Sequence, residues 1–167
     1  MTEQITFEAE GFQELSQKFA QAGTEGKITL NDGLIRIGKL FVPYKGTGPL
    51  AAETPKRTGK LRRSTVFEIV GGTRAQQLEI RQGARSPEGA FYGWFVREGT
   101  GPHEIRPRKK KALRFKIGGE IIFAMRVRHP GTKPNPYHKR VMARLQGEVQ
   151  NIVNAMGERI TAYLSGG

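Results

Sequence analysis

The chain contains no cysteine. That excludes disulfides, thiolate nucleophiles and cysteine-ligated zinc, and it fits a protein made in a reducing compartment. No run of about 18 apolar residues occurs, so no membrane-spanning helix is expected. The opening MTEQITFEAE is acidic and polar, unlike a secretory signal. Acid is scarce overall, with 15 Asp/Glu facing 28 Lys/Arg for a net charge of +13. Apolar residues are also few, at 37%, which allows only a modest core in 167 residues. One domain spanning residues 1–167 is expected.

Glycine and proline are plentiful, at 22 and 9, and imply many turns. The positive charge is uneven. IRPRKKKALRFK (residues 105–116) holds seven Lys/Arg and no acid, and KRTGKLRR (residues 56–63) holds five. The first 26 residues hold five acids and one lysine. Such polarity implies a polyanionic neighbour or an acidic partner surface.

Apolar spacing predicts a helix over Gly11 to Ala22, with Phe12, Leu15, Phe19 and Ala22 on one face. Gly23 and Gly26 are expected to break it. A second helix is predicted from Asn31, as N-cap, to Phe41, with Leu34 and Ile37 facing inward. Residues 42–60 read as a long mobile loop, and Thr58 as the cap of a short turn over Gly59–Arg63. The period then changes to two. Strands are predicted at Thr65–Val70, Gln77–Arg81, Tyr92–Arg97, Ala112–Ile117 and Glu120–Val127, with Gly118-Gly119 as a hairpin turn. A last helix runs from Pro136 to Leu164, capped by Asn135. Its stripe is Val141, Leu145, Val149, Ile152, Met156, Ile160 and Leu164. The expected fold is α+β, a central antiparallel sheet of about five strands flanked by N-terminal helices, with the long C-terminal helix packed on it.

Few motifs point to chemistry. Gly33-Leu-Ile-Arg-Ile-Gly38-Lys39-Leu40 nearly matches a phosphate-binding loop, but Leu40 replaces the magnesium-binding hydroxyl. Its inner residues suit a helix face. The three histidines, His103, His129 and His138, lack zinc spacing, and two of them adjoin prolines in turns. Ser64 and Ser86 have no nucleophile elbow around them. Glu98, Glu104 and Glu120 are scattered among cations. No catalytic residue, cofactor or metal ligand is therefore assigned, and no enzyme is expected.

The stronger signal is basic and aromatic together. Arg106, Arg108, Lys109, Lys110 and Lys111 adjoin predicted strands carrying Phe115, Tyr92 and Trp94. Cations of this kind neutralise phosphates without reading bases, and sheet aromatics can stack on them. Tyr92, Trp94 and Val96 suit a core equally well.

Four segments in order carry a resemblance. They are Pro55-Lys-Arg-Thr58-Gly59-Lys-Leu61-Arg-Arg-Ser64, Glu98-Gly-Thr-Gly-Pro-His103, Pro107-Arg-Lys-Lys-Lys-Ala-Leu-Arg-Phe115 and His129-Pro-Gly-Thr-Lys-Pro-Asn-Pro136. Over about residues 10–160 this set resembles the neck, tail-completion or head–tail joining proteins of tailed bacteriophages. Arg57 stands where the family more often has Asp, and Tyr137 where it more often has Phe.

The resemblance implies a non-enzymatic virion component, made in the host cytoplasm. It implies a ring, of six copies, between head connector (or stopper) and tail terminator or tail tube, around the double-stranded DNA. The tail terminator itself and a sequence-independent nucleic-acid-binding protein are the competing readings. Candidate contacts with DNA or partners are Arg106, Arg108, Lys109, Lys110, Lys111, Lys56, Arg57, Arg62 and Arg63, with loop Val42–Lys56. Candidate structural residues are Thr58, Gly59 and Leu61, Gly99 and Gly101 at positive φ, and the elbow His129, Pro130, Gly131, Pro134 and Pro136.

Overall fold

The structure, a computed structural model, describes residues 12–71, 76–85 and 91–166. The chain forms two compact units, one of residues 1–93 with 137–167 and one of residues 94–136.

In the larger unit, helix α1 (Phe12–Gln21) is followed at once by α2 (Gly23–Phe41). Gly23 takes a φ of 55° between them and separates the helices without a loop. The second helix therefore starts eight residues before Asn31, which lies in its interior and caps nothing. Gly26, expected to break helix, is inside α2 because a side chain there would strike the backbone of Phe19, 2.9 Å from its carbonyl carbon. A helical glycine costs about 1 kcal/mol against alanine, and here close packing of α2 on α1 offsets that.

Residues 42–60 are more structured than expected. Helix α3 (Gly48–Glu53) forms within them and buries Leu50, Ala51 and the following Thr54. Helix α4 (Lys60–Arg63) comes next, with Leu61 buried. Its N-cap position is Gly59 at φ 72°, and Thr58 stands one residue earlier, its Oγ1 accepting from the Lys60 N–H at 3.4 Å.

Strands β1 (Thr65–Gly71) and β2 (Gln76–Gln82) pair antiparallel, from Thr65↔Gln82 to Gly71↔Gln76. Arg81 bridges Glu68 across the ribbon at 2.9 Å and Glu79 at 2.6 Å. The hydrogen bond to Glu79 chiefly raises its already high pKa, and burial opposes it.

The C-terminal helix, which we label α6 (Tyr137–Leu164), begins one residue after Pro136. Proline therefore precedes the first turn instead of lying in it. The predicted stripe is buried from Val141 to Ile160, joined by Tyr137 and Val153, while Leu164 is exposed. Helix α6 packs chiefly on α2, α1 and α3, and it is α2 that lies on the β1–β2 ribbon. Arg159 ties α6 to α2 through Glu25 at 2.6 Å and Asp32 at 3.8 Å.

A half-buried polar clasp joins four segments of this unit. The Gln82 amide donates to Thr54 Oγ1 at 2.9 Å and Thr65 Oγ1 at 2.8 Å, and its Oε1 accepts from the Tyr137 hydroxyl. That hydroxyl is what distinguishes Tyr137 from phenylalanine. Replacing Gln82 by leucine removes three hydrogen bonds, each worth about 1 kcal/mol net. Thr54 Oγ1 keeps its donation to the Leu50 carbonyl at 2.8 Å, and Thr65 Oγ1 its longer one to Leu61 at 3.5 Å. The expected loss is about 3 kcal/mol, read from the midpoint and slope of urea denaturation.

In the smaller unit the strands form two separate pairs. Strand β3 (His103–Ile105) pairs with β6 (Val127–His129), and β4 (Leu113–Ile117) with β5 (Glu120–Ala124), all antiparallel. The expected central five-stranded sheet is thus replaced, among the described residues, by three two-stranded ribbons. Two misreadings account for it. Tyr92–Arg97 holds helix α5 (Gly93–Glu98), not a strand, with Gly93 and Arg97 buried one turn apart. The Tyr-Trp-Val alternation is overridden by packing. The segment Glu120–Val127 is also two strands, divided at Met125-Arg126, that pair with different partners. The Gly118-Gly119 turn has φ of 58° and 99°, the type I′ geometry expected of a two-residue hairpin.

Candidate basic interface

The smaller unit holds eleven Lys/Arg and three Asp/Glu. Its most basic segment, Arg106 to Lys111, connects β3 to β4. Pro107 and a series of bends there prevent ladder pairing. Arg106 is ion-paired to Glu104, which Arg126 also approaches at 4.0 Å. Arg108, Lys109, Lys110 and Lys111 are exposed and have no ion pair among the described residues. Arg114 and Lys116 continue the charge along β4.

Lys56, Arg57, Arg62 and Arg63 belong to the larger unit. Lys56 and Arg57 are exposed, Arg62 is half-buried, and Arg63 donates to the Thr58 carbonyl at 3.2 Å. Arg63 therefore closes its own turn as well as presenting charge. The aromatic stacking platform does not form as a sheet face. Trp94 and Phe95 are exposed on α5, and the Arg97 guanidinium sits over the Trp94 ring at 5.0 Å.

A strap of paired backbone braces this unit. Thr100 and Thr132 exchange N–H to carbonyl hydrogen bonds at 3.0 Å each, and the Asn135 N–H donates to the Arg97 carbonyl at 3.0 Å. The elbow makes the strap possible. Gly131 turns the chain after β6 with φ 90°, and Gly99 opposite has φ 73°. A Cβ on Gly99 would meet the backbone of Thr132 to Pro134, and one on Gly131 the backbone of Thr100 and Gly101. Gly101 does not share this need. It adopts no positive φ, and a Cβ there would meet open space. Pro134 and Pro136 lie in the extended link to α6, outside any helix.

The histidines have structural partners. His103 and His129 face each other across β3–β6, ring centroids 5.0 Å apart. His103 Nδ1 donates to the Gly101 carbonyl at 2.9 Å, and His129 Nδ1 accepts from the Gly131 N–H at 3.0 Å. His138 is buried at the start of α6. No cluster of three metal-ligating side chains occurs among the described residues. Ser64 donates to the Leu61 carbonyl at 2.7 Å, closing α4, and Ser86 lies outside the described residues.

The near-match to a phosphate loop is helix. Gly33 and Gly38 are buried in α2, where a Cβ would collide with the Met156 side chain and the Phe67 ring, respectively. The glycines serve close packing, and no N–H cradle is left for phosphate. Among the described residues no helix is long and apolar enough to cross a membrane.

What sequence reading missed is the apolar surface of the β4–β5 hairpin. Ile117, Ile121, Ile122, Phe123 and Met125 are all exposed, Phe123 at 65% and Met125 at 68%. The signal was present in the unbroken apolar run Ile121 to Met125 beside a two-glycine turn. Assigning that run to the centre of a sheet hid it. Comparison with known proteins finds no matching family model, no matching curated protein and no matching solved structure.

Proposed function

We propose that this chain is a structural part of a tailed-bacteriophage virion, a neck or head–tail joining protein. It assembles as a ring, of six copies, between the head connector and the tail, around the DNA passage. The observation that carries this reading is the charge of residues 94–136, where Arg108 to Lys111 stand exposed and unpaired among the described residues. DNA sliding through a bore needs cations that meet phosphates and ignore bases. The four ordered sequence segments supply the kind of machine. The exposed apolar hairpin supports it too, since such surface suits a part that finishes its packing on a neighbour.

Electron microscopy and mass photometry of the purified protein test the reading, with a salt titration against a short DNA duplex. Closed rings, and weak duplex binding by single chains at physiological salt, are the expected result. Submicromolar duplex binding by a monomer that forms no ring would instead identify a sequence-independent nucleic-acid-binding protein. The variant Lys109→Glu/Lys110→Glu/Lys111→Glu should keep the wild-type melting curve, because these side chains make no internal ion pair. It should lower the yield of DNA-filled, tailed particles by about tenfold or more.

A further inference from the structure

Among the described residues no strand covers either edge of the β4–β5 hairpin, and the β5 edge is the one without Lys or Arg. Its turn closes on the pair Ile117↔Glu120, and in a two-residue hairpin that pair exchanges both of its hydrogen bonds. Phe115↔Ile122 and Leu113↔Ala124, two residues further each time, do the same. The N–H and C=O groups of Ile121 and Phe123 therefore point away from β4. No strand among the described residues takes them up.

Open edges in folded proteins carry lysine, proline or a bulge that deters pairing. Strand β5 has none of these. Its sequence is Glu-Ile-Ile-Phe-Ala, and Ile121 and Phe123 are half or more exposed.

We propose that β5 pairs antiparallel with β5 of a second copy of this chain, making a four-stranded sheet across a two-fold axis through Ile122. The charge pattern selects this occupant. About that axis Ile121 lies opposite Phe123 of the second copy, and Glu120 lies opposite Ala124. No like charges meet at the seam. The hairpin's own cations, Arg114 and Lys116, sit on β4, one strand back. With about 4.8 Å between strands, the two β4 strands lie roughly 14 Å apart, beyond the Debye length at physiological salt. A DNA backbone would meet an apolar strand whose one charge, Glu120, is negative, and gain nothing from it.

The strand count agrees. A lone two-stranded hairpin is marginal in water, whereas three or more strands with an apolar face hold together. Leu113, Phe115, Ile117, Ile122 and Ala124 of each copy lie on the same side of the joined sheet and form a largely apolar face that also carries Glu120. The contact is isologous and so differs from the heterologous contacts that close a ring. It stands or falls independently of the head–tail reading.

The absence of cysteine gives a direct test. Ile122→Cys in the full-length protein should form a disulfide with its own copy under mild oxidation, because only a residue on the axis meets itself. Met125→Cys, off the axis, should not. Sedimentation equilibrium should show reversible two-fold association whose dissociation constant rises roughly tenfold or more in Ile121→Lys/Phe123→Lys. Phe123→Pro removes the exposed ring and an outward N–H without removing a hydrogen bond to β4, and should weaken association similarly. Tyr44→Ser, an exposed aromatic elsewhere, should have no effect. Association that survives the edge substitutions, no association across the micromolar range, or equal crosslinking at both cysteines would each overturn the proposal. So would an edge that binds only a foreign protein.

Discussion

Replacing Gly33 and Gly38 together by valine is expected to unfold the larger unit at room temperature. Gly33 faces the Met156 side chain and Gly38 the Phe67 ring, so each new side chain enters volume that is already filled. Overpacking costs about 1–3 kcal/mol per site, and two sites approach the whole stability of a small domain. Met156 can swing aside and Phe67 cannot do so as easily. Gly38→Val alone should therefore cost more than Gly33→Val, and Met156→Ala should partly rescue only the latter. Circular dichroism during urea titration reads all of this. The companion variant Leu40→Ser completes the phosphate-loop pattern, and a fluorescent ATP analogue should still not bind. Nucleotide binding by that variant would show that the glycines serve phosphate and not packing.

Gly131→Val should collapse the smaller unit while the helices keep their ellipticity. Two costs coincide there. A β-branched residue at φ 90° is strained by about 1–3 kcal/mol, and its Cβ would strike the backbone of Thr100 and Gly101, which no rotamer change relieves. Gly99→Val, against Thr132, should do the same. Gly101→Ala, with no positive φ and open space around it, is the matched control. Hydrogen exchange by mass spectrometry should show lost protection from Thr100 to Thr132 in the first two variants and none in the control. Equal loss in all three would overturn the strap.

The helices were legible in the sequence because their burial is one-sided. From Val141 to Ile160 on α6, and over Leu34, Ile37 and Phe41 on α2, a period near 3.6 reports the face that packs. The strands of the smaller unit were less legible. A two-stranded ribbon with a half-exposed face needs no strict alternation, so Ile121 to Met125 reads like a buried central strand. Trp94 and Phe95 read as strand for the same reason, since bulky aromatics favour extended backbone until packing decides otherwise. The start of α2 was hidden by two glycines that ordinarily signal a break. Only tertiary proximity, the backbone of Phe19 beside Gly26, explains why a helix carries them.

The candidate interface was legible as charge and illegible as geometry. Arg106 to Lys111 stand out in any composition scan. Arg106 is engaged by Glu104, two residues before it, but the approach of Arg126 to the same carboxylate accompanies the pairing of β3 with β6. That pairing joins residues more than twenty positions apart and leaves no local signature. The clasp of Gln82 was invisible likewise, because its partners come from three separate segments.

The order of elements has a consequence for how the chain is made. The smaller unit is continuous in sequence, and all its pairings close within residues 94–136. The larger unit is not, because α1, α2 and α3 await α6, which follows the smaller unit in the chain. As the chain leaves the ribosome, the basic unit can fold first. Meanwhile Leu34, Ile37 and the glycine face of α2 lack their cover until the final turns of α6 emerge. A chain cut short before Ile160 would retain the exposed cations and lack a finished core, so incomplete products should be drawn to proteolysis instead of assembly.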